Sequence, residues 1–219
     1  MTSNATSVLN ASRTVAVFGA SGHTGRFVVA ELLRRGFTPI AVGRDATRLA
    51  EAGFPQRGVE CRQATIENDD ALDSAFAGAS AVINCAGPFM DTADAVTRAA
   101  LRAGIHYLDV TAEQPSVMST FERHGAAARE AGVAVIPAIG FYGGLSDLLV
   151  ATAMEPWEYA DSIEIRIALD SWLPTKGTRV TGERNTARRL AISGGQLTPV
   201  SQPATERVSV LPAPFERQS

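Results

Sequence analysis

From Thr14 onward, short apolar runs alternate with longer stretches of helical periodicity. Thr14-Val15-Ala16-Val17-Phe18 is short, apolar and followed at once by Gly, which predicts a fully buried strand. The next stretch places Phe27, Val28, Leu32 and Leu33 on one side of a helix that Gly36 would cap. The same alternation predicts strands at Thr38 to Val42, Val59 to Ala64, Ser80 to Asn84, His106 to Val110 and Val133 to Ile136. Between them it predicts helices near Ala46 to Ala52, Asp69 to Phe76, Thr92 to Ala103 and Ser116 to Ala131. Strands and helices of this length in strict alternation imply an α/β fold with a parallel sheet covered by helices on both faces. Right-handed crossovers leave a doubly wound sheet as the economical solution.

The pattern changes after about Pro156. Ile163, Ile165, Ile167 and Leu169 point one way, with Glu164, Arg166 and Ala168 opposite, so Ser162 to Asp170 reads as a half-exposed, antiparallel strand. A helix is expected from about Gly182 to Ile192, then a Gly/Gln/Pro-rich stretch and a short strand near Arg207 to Leu211. Residues 1–13 read as a disordered tail, 14–155 as one complete domain, and 156–219 as a partial α+β domain. A lone half-covered strand is not stable in water. The Ile face therefore calls for other strands, and a homodimer through the C-terminal region is one way to supply them.

Composition removes several function classes. Hydrophobic residues are 45% and charged residues 20% of the chain, which is ordinary globular usage and not that of a disordered or fibrous protein. The net charge of −3 lacks the basic footprint of a nucleic-acid binder. Lys176 is the sole lysine, so it alone could do Lys chemistry. Cys61 and Cys85 are too few for a secreted disulfide framework and form no metal-ligand spacing, which suggests a reducing compartment. No secretory signal precedes the first strand, and no apolar run reaches the ~18 residues of a membrane span. A cytoplasmic protein is the expectation.

The strongest site signal is Gly19-Ala20-Ser21-Gly22-His23-Thr24-Gly25, set between a buried strand and an amphipathic helix. Gly19 allows the tight turn, Gly22 lets backbone approach a pyrophosphate, and Gly25 lets the helix pack close to the sheet. Unpaired amides and the helix dipole then favour the phosphates. The G-x-x-G-x-x-G spacing is one residue longer than the commoner GxGxxG. His23 and Thr24 read as helix-start residues. At the end of the second strand an NAD enzyme usually carries an acid for the ribose. Here the order is Gly43-Arg44-Asp45, and Arg44 suits the 2′-phosphate of NADP through a charge-assisted pair. NADP is therefore favoured; NAD stays open, because a one-residue shift would bring Asp45 to the ribose.

Other strand ends supply the candidate chemistry. Asn84-Cys85-Ala86-Gly87-Pro88-Phe89 would form a loop beside the cofactor, with Ala86 and Gly87 near the ribose, Asn84 bonding nearby backbone and Cys85 as buried filler. Tyr142 and Asp147 lie closest to the expected nicotinamide position and are the candidate catalytic residues; Asp109 and Glu113 come next. The Tyr and Lys four positions apart of the short-chain dehydrogenases are absent: Tyr107, Tyr142 and Tyr159 are followed at that offset by Thr111, Ser146 and Ile163. His23, His106 and His124 are scattered, so no metal site is expected. No G-x-S-x-G elbow is present.

Together, the glycine loop, Gly43-Arg44, Asn84-Cys85-Ala86-Gly87-Pro88-Phe89, His106-Tyr107-Leu108-Asp109 and Gly140-Phe141-Tyr142-Gly143-Gly144 resemble the saccharopine dehydrogenase-like oxidoreductases, including the trans-acting enoyl reductase branch. The resemblance covers about Val15 to Met154. It implies a Rossmann domain, a second α+β domain, and NAD(P)-linked oxidation or reduction of a small-molecule substrate. Thr65-Ile66 stands where the family often has an acid, and Gly140 to Asp147 lacks the family's proline. Pro212-Ala213-Pro214-Phe215 resembles a segment inside the second domain of longer relatives, so the chain is expected to be a truncated or unusually short member. The expected reaction is hydride transfer to or from a C=O, C=N or activated C=C bond. The alternative is a non-catalytic NAD(P)-binding redox sensor.

Overall fold

Six short strands and their connecting helices close into one parallel sheet. The computed structural model describes residues 13–167, 169 and 171–200. In chain order the first unit runs β1 Thr14–Phe18, α1 His23–Arg34, β2 Thr38–Gly43, α2 Ala46–Glu51, a 3-10 turn at Pro55–Arg57 and β3 Glu60–Gln63. It continues through α3 Asp69–Phe76, β4 Ala81–Asn84, α4 Phe89–Ala103, β5 His106–Asp109, α5 Gln114–Ala131, β6 Val135–Ile136 and α6 Gly144–Met154. The chain divides into two compact units between Leu149 and Val150, within α6.

The strand order is β3-β2-β1-β4-β5-β6. The chain winds outward from β1 to β3, returns through α3, and winds the other way from β4. The reversal therefore falls between β1 and β4, where an open α/β sheet offers a crevice at the strands' carboxyl ends. The predicted strands and helices of this unit are all present, with ends displaced by up to three residues. The largest displacement is α4, which starts at Phe89 and not at Thr92.

Alternation along the strands serves two cores. Ala16 and Phe18 of β1, with Ile40 and Val42 of β2, pack with Leu72, Ala75, Phe76, Val96 and Ala99 of α3 and α4. Val17 and Ala41, one residue out of phase, pack with Val29, Leu49, Phe54 and Val59 beside α1 and α2. Successive side chains of a strand point to opposite faces, so a continuous apolar run is what a sheet covered on both sides requires. On the outer side of α4, buried His124 of α5 meets Asp94 at 3.1 Å.

The second unit departs from the sequence reading in two places. Residues 162–167 and 169 form no strand, and Ile163, Ile165 and Ile167 are exposed. The physical reason is the absence of a partner among the described residues, without which an alternating segment gains no ladder of hydrogen bonds. The helix expected at Gly182 to Ile192 is also displaced. α7 occupies Lys176–Arg184, with the Thr175 hydroxyl accepting from the Thr178 amide at 3.1 Å, and Leu190–Ser193 is instead a strand, β7. β7 pairs antiparallel with β8, Gln196–Pro199, through Gly194 and Gly195 at φ +59° and +76°. Two successive residues in the left-handed region are what a two-residue hairpin of matching twist demands, and glycine supplies both. The tail at residues 1–12 and the strand near Arg207 to Leu211 lie outside the described residues.

Candidate functional site

The Gly19–Gly25 loop sits at the carboxyl end of β1, on the crevice between β1 and β4. The amides of Gly19 and Ala20 both donate to the Val42 carbonyl, at 2.9 and 3.1 Å, which ties the loop to the end of β2. The Gly22 amide donates to the Gly19 carbonyl at 3.0 Å, closing a tight turn. α1 then begins with Gly22 as its N-cap, without a side-chain cap and without an acid in its first turn. A helix start of this kind leaves amides and a positive dipole end available to an anion. Arg26 adds a cation there, its Nε donating to the Ser21 carbonyl at 3.0 Å.

Each glycine answers a different steric demand. Gly19 has φ +79°, and a Cβ there would stand 2.9 Å from the Cβ of Ala86. The glycine loop and the loop after β4 are thus pressed together, two segments 67 positions apart. A Cβ on Gly25 would overlap the Gly19 carbonyl oxygen and lie 2.7 Å from the Ala20 Cα. At Gly22 only the Gly19 oxygen is near, at 3.1 Å. These cradles fit a pyrophosphate that must approach backbone closely.

At the end of β2, Arg44 and Asp45 take different parts. The Asp45 carboxylate accepts from the Arg48 amide at 3.1 Å and is the N-cap of α2. The Arg44 carbonyl accepts from the Gln63 side chain at 2.9 Å, while the Arg44 side chain is exposed.

The other strand ends are linked by a buried polar network. Asn84, fully buried, accepts from the Ala86 amide at 3.0 Å and donates to the Thr92 hydroxyl at 3.1 Å. The Thr92 hydroxyl donates onward to the Ala86 carbonyl at 2.6 Å. Asp109, also fully buried, accepts from the Tyr107 hydroxyl at 2.8 Å, the Thr111 amide at 3.0 Å and the Ala138 amide at 2.8 Å. Glu113 accepts from the amides of Phe89 at 2.8 Å and Met90 at 3.0 Å. The carboxylates of Asp109 and Glu113, read from sequence as secondary acid–base candidates, are therefore committed to amides and a phenol. The sequence reading did not find Thr92 or Gln63, and it missed the structural part of Tyr107. The available signal was polar residues at the ends of otherwise buried strands.

Tyr142 and Asp147 follow β6, at the edge of the sheet two strands from β4. Tyr142 is exposed and meets Phe141 edge to face at 5.0 Å. Asp147 is exposed in the first turn of α6. The turn before them is tight: the Gly144 amide donates to the Ala138 carbonyl at 2.8 Å, and Ala138 has φ +58°. The structure does not bring Tyr142 or Asp147 into hydrogen-bonding contact with the glycine loop.

Cys85 packs against the core on the α1 side. Burial, and then the charge of Asp109, pushes its thiol up to about 12. The Cys61 thiol is also raised, by burial and then by Glu60. Since only the thiolate reacts, Cys85 in the native protein should alkylate with iodoacetamide at pH 8 about three orders of magnitude more slowly than an ordinary cysteine. Peptide mapping of native and unfolded protein measures this. Native labelling at the unfolded rate would show that the thiol is not held in this way.

A glycine-lined helix start on the reversal of a six-stranded parallel sheet defines a Rossmann-type nucleotide-binding protein. Residues 15–136, more than half of the chain, match the family described as "Saccharopine dehydrogenase NADP binding domain". The chain belongs to that family. It is 29% identical over 174 residues to a probable mitochondrial saccharopine dehydrogenase-like oxidoreductase of Arabidopsis thaliana, covering 71% of this chain and 38% of that one. It is 30% identical over 146 residues to a lipid droplet localized protein of Caenorhabditis elegans, covering 61% and 34%. The apo saccharopine dehydrogenase (L-Glu forming) of Saccharomyces cerevisiae shares the fold, with a TM-score of 0.54 and 19% identity over 65% of this chain and 31% of that one. The chain thus spans well under half the length of these relatives. Among the described residues no helix is long and apolar enough to cross a membrane, and no group of three or more His, Cys, Asp or Glu could hold a metal.

Proposed function

We propose that the chain is an NADP-preferring oxidoreductase that moves a hydride between the nicotinamide and a C=O, C=N or activated C=C bond of a small molecule. The observation that carries the reading is the pairing of an uncapped α1 start at the sheet reversal with an exposed Arg44 at the end of the adjoining strand. The amides at the start of α1 hold the pyrophosphate within the Gly19 to Gly25 loop, Arg44 pairs with the 2′-phosphate, and Ala86 and Gly87 form the wall beside the ribose, with buried Asn84 holding Ala86 from behind. Asp45 is spent on α2, which supports Arg44 over Asp45 as the residue that reads the adenosine ribose. The bound dinucleotide supplies the hydride chemistry; the chain binds, orients and excludes water. Tyr142 and Asp147 remain the candidates for moving a proton.

Arg44→Ala tests the reading. Loss of a charge-assisted pair should weaken NADPH binding by about 10- to 100-fold while NADH binding changes little. Calorimetric titration of both dinucleotides measures the ratio, and an unchanged preference would defeat the Arg44 assignment. The second reading, a redox sensor, is favoured by one observation: Asp109 and Glu113 are committed to structural bonds. Tight NADPH binding without turnover on carbonyl, imine and enoyl substrates would select it.

A further inference from the structure

Two helices, α1 and α4, begin beside the reversal of the sheet, and their N-termini are treated in opposite ways. That of α1 has neither a side-chain cap nor an acid in its first turn. At α4 the N-cap is Pro88, which has no side-chain oxygen to offer. Its first two amides are instead taken by Glu113, 24 and 23 positions away, at 2.8 and 3.0 Å. Glu113 is 2% exposed, and both carboxylate oxygens accept. Its own amide donates to the Thr111 hydroxyl at 3.0 Å, and the Thr111 amide donates to Asp109 at 3.0 Å. An internal brace therefore runs from the end of β5 to the start of α4.

This brace has two consequences. The positive end of α4 is neutralised from within the chain, so a phosphate gains nothing there and α1 is left as the anion site. The loop Cys85-Ala86-Gly87-Pro88 is also pinned at both ends. Asn84 and Thr92 hold Ala86 through its amide and carbonyl, and Glu113 holds Phe89 and Met90. Ala86 is the residue against which Gly19 is packed.

We propose that Glu113 is a positioning residue for the nicotinamide half of the dinucleotide: it sets the loop after β4 along which that half lies, and it closes α4 to phosphate. The inference rests on the dinucleotide-binding reading above and adds a residue that never touches the ligand.

The experiment compares two ligands on the full chain: NADPH, and adenosine 2′,5′-bisphosphate, which carries the adenosine and 2′-phosphate but no nicotinamide. Glu113→Gln keeps the shape of the side chain but turns an NH2 group against one of the two amides. NADPH binding should weaken about tenfold, consistent with losing one charge-assisted bond's share of the loop's order. The bisphosphate should bind within about twofold of wild type, because its contacts lie on the β1–β2 side. The enhancement of nicotinamide fluorescence on binding should shrink in parallel. Equal weakening of both ligands, or of neither, would overturn the assignment, since a merely structural role cannot separate the two. Should Glu113→Gln fail to fold, Thr111→Val removes only the hydroxyl that holds the Glu113 amide, and the same split between ligands is required of it. A wild-type chain that binds neither ligand is a distinct result and removes the dinucleotide reading itself.

Discussion

Gly25→Ala is expected to raise the NADPH dissociation constant at least about 100-fold, because the phosphates are held by backbone amides that work only at hydrogen-bond distance. The added Cβ would overlap the Gly19 carbonyl oxygen and stand 2.7 Å from the Ala20 Cα and 2.8 Å from the Ala20 oxygen. All three neighbours are backbone, so no rotamer change relieves the contact. Either the first turn of α1 lifts or the end of β1 gives way. Val29, fully buried, fixes the middle of α1 against the sheet, so the shift is concentrated in the phosphate loop. Overpacking of this kind also costs about 1–3 kcal/mol of stability. Gly22→Ala should be mild by comparison. Its φ of −72° suits any residue, and one carbonyl oxygen at 3.1 Å can move by a few tenths of an ångström. Fluorescence titration of NADPH with both variants measures the contrast. A Gly25→Ala protein that binds within threefold of wild type would show that the loop is not the phosphate site.

The first unit was legible because its signals are local and redundant. Val17 and Phe18 are adjacent yet feed different cores, so β1 had to be apolar throughout, and a short apolar run ending in Gly19 reads as a buried strand. Asn68 caps α3 from the position just before it, so Asp69 starts the helix in sequence and structure alike. The start of α4 was misread for the opposite reason. Its N-cap, Pro88, offers no side-chain oxygen, and the acid that takes the first two amides is Glu113, far along the chain. The same distance explains the weak reading of Asp109 and Glu113. By residue type a buried carboxylate at a strand end can be an acid, a base or a brace, and only its partners decide. In the second unit, helical spacing at Gly182 to Ile192 competed with a Gly194-Gly195 turn, and the turn prevailed. Ile163 to Leu169 has strand alternation in its sequence but no neighbouring strand among the described residues, and alternation alone supplies no hydrogen bonds.

Asp109→Ala should be among the most destabilising single changes in the chain, costing about 3–5 kcal/mol, because it strands several buried donors at once. The Tyr107 hydroxyl, the Thr111 amide and the Ala138 amide all lose their acceptor. Tyr107 has no easy escape. Burial, and then the Asp109 charge, hold its phenol well above the ordinary value, so it keeps its proton and must donate it. Asp109→Asn should cost only about 1–2 kcal/mol, since its amide oxygen can still serve the two backbone amides at full geometry. Its NH2 group would then face the Tyr107 oxygen, which can accept, and the phenol proton alone is left without its acceptor. The loss should also reach the turn after β6. Ala138 sits at φ +58°, a region an alanine rarely adopts, and is held there by its bond to the Asp109 carboxylate and by the Ile139 amide on the Asp109 carbonyl at 2.8 Å. With the carboxylate gone, one of those two ties fails and the segment that carries Tyr142 loosens. Urea unfolding gives the first quantity, and NADPH titration of the folded fraction separates it from the second. An Asp109→Ala protein within 1 kcal/mol of wild type would mean that Tyr107, Thr111 and Ala138 find other acceptors, and the network would then not be what holds the ends of β5 and β6 together.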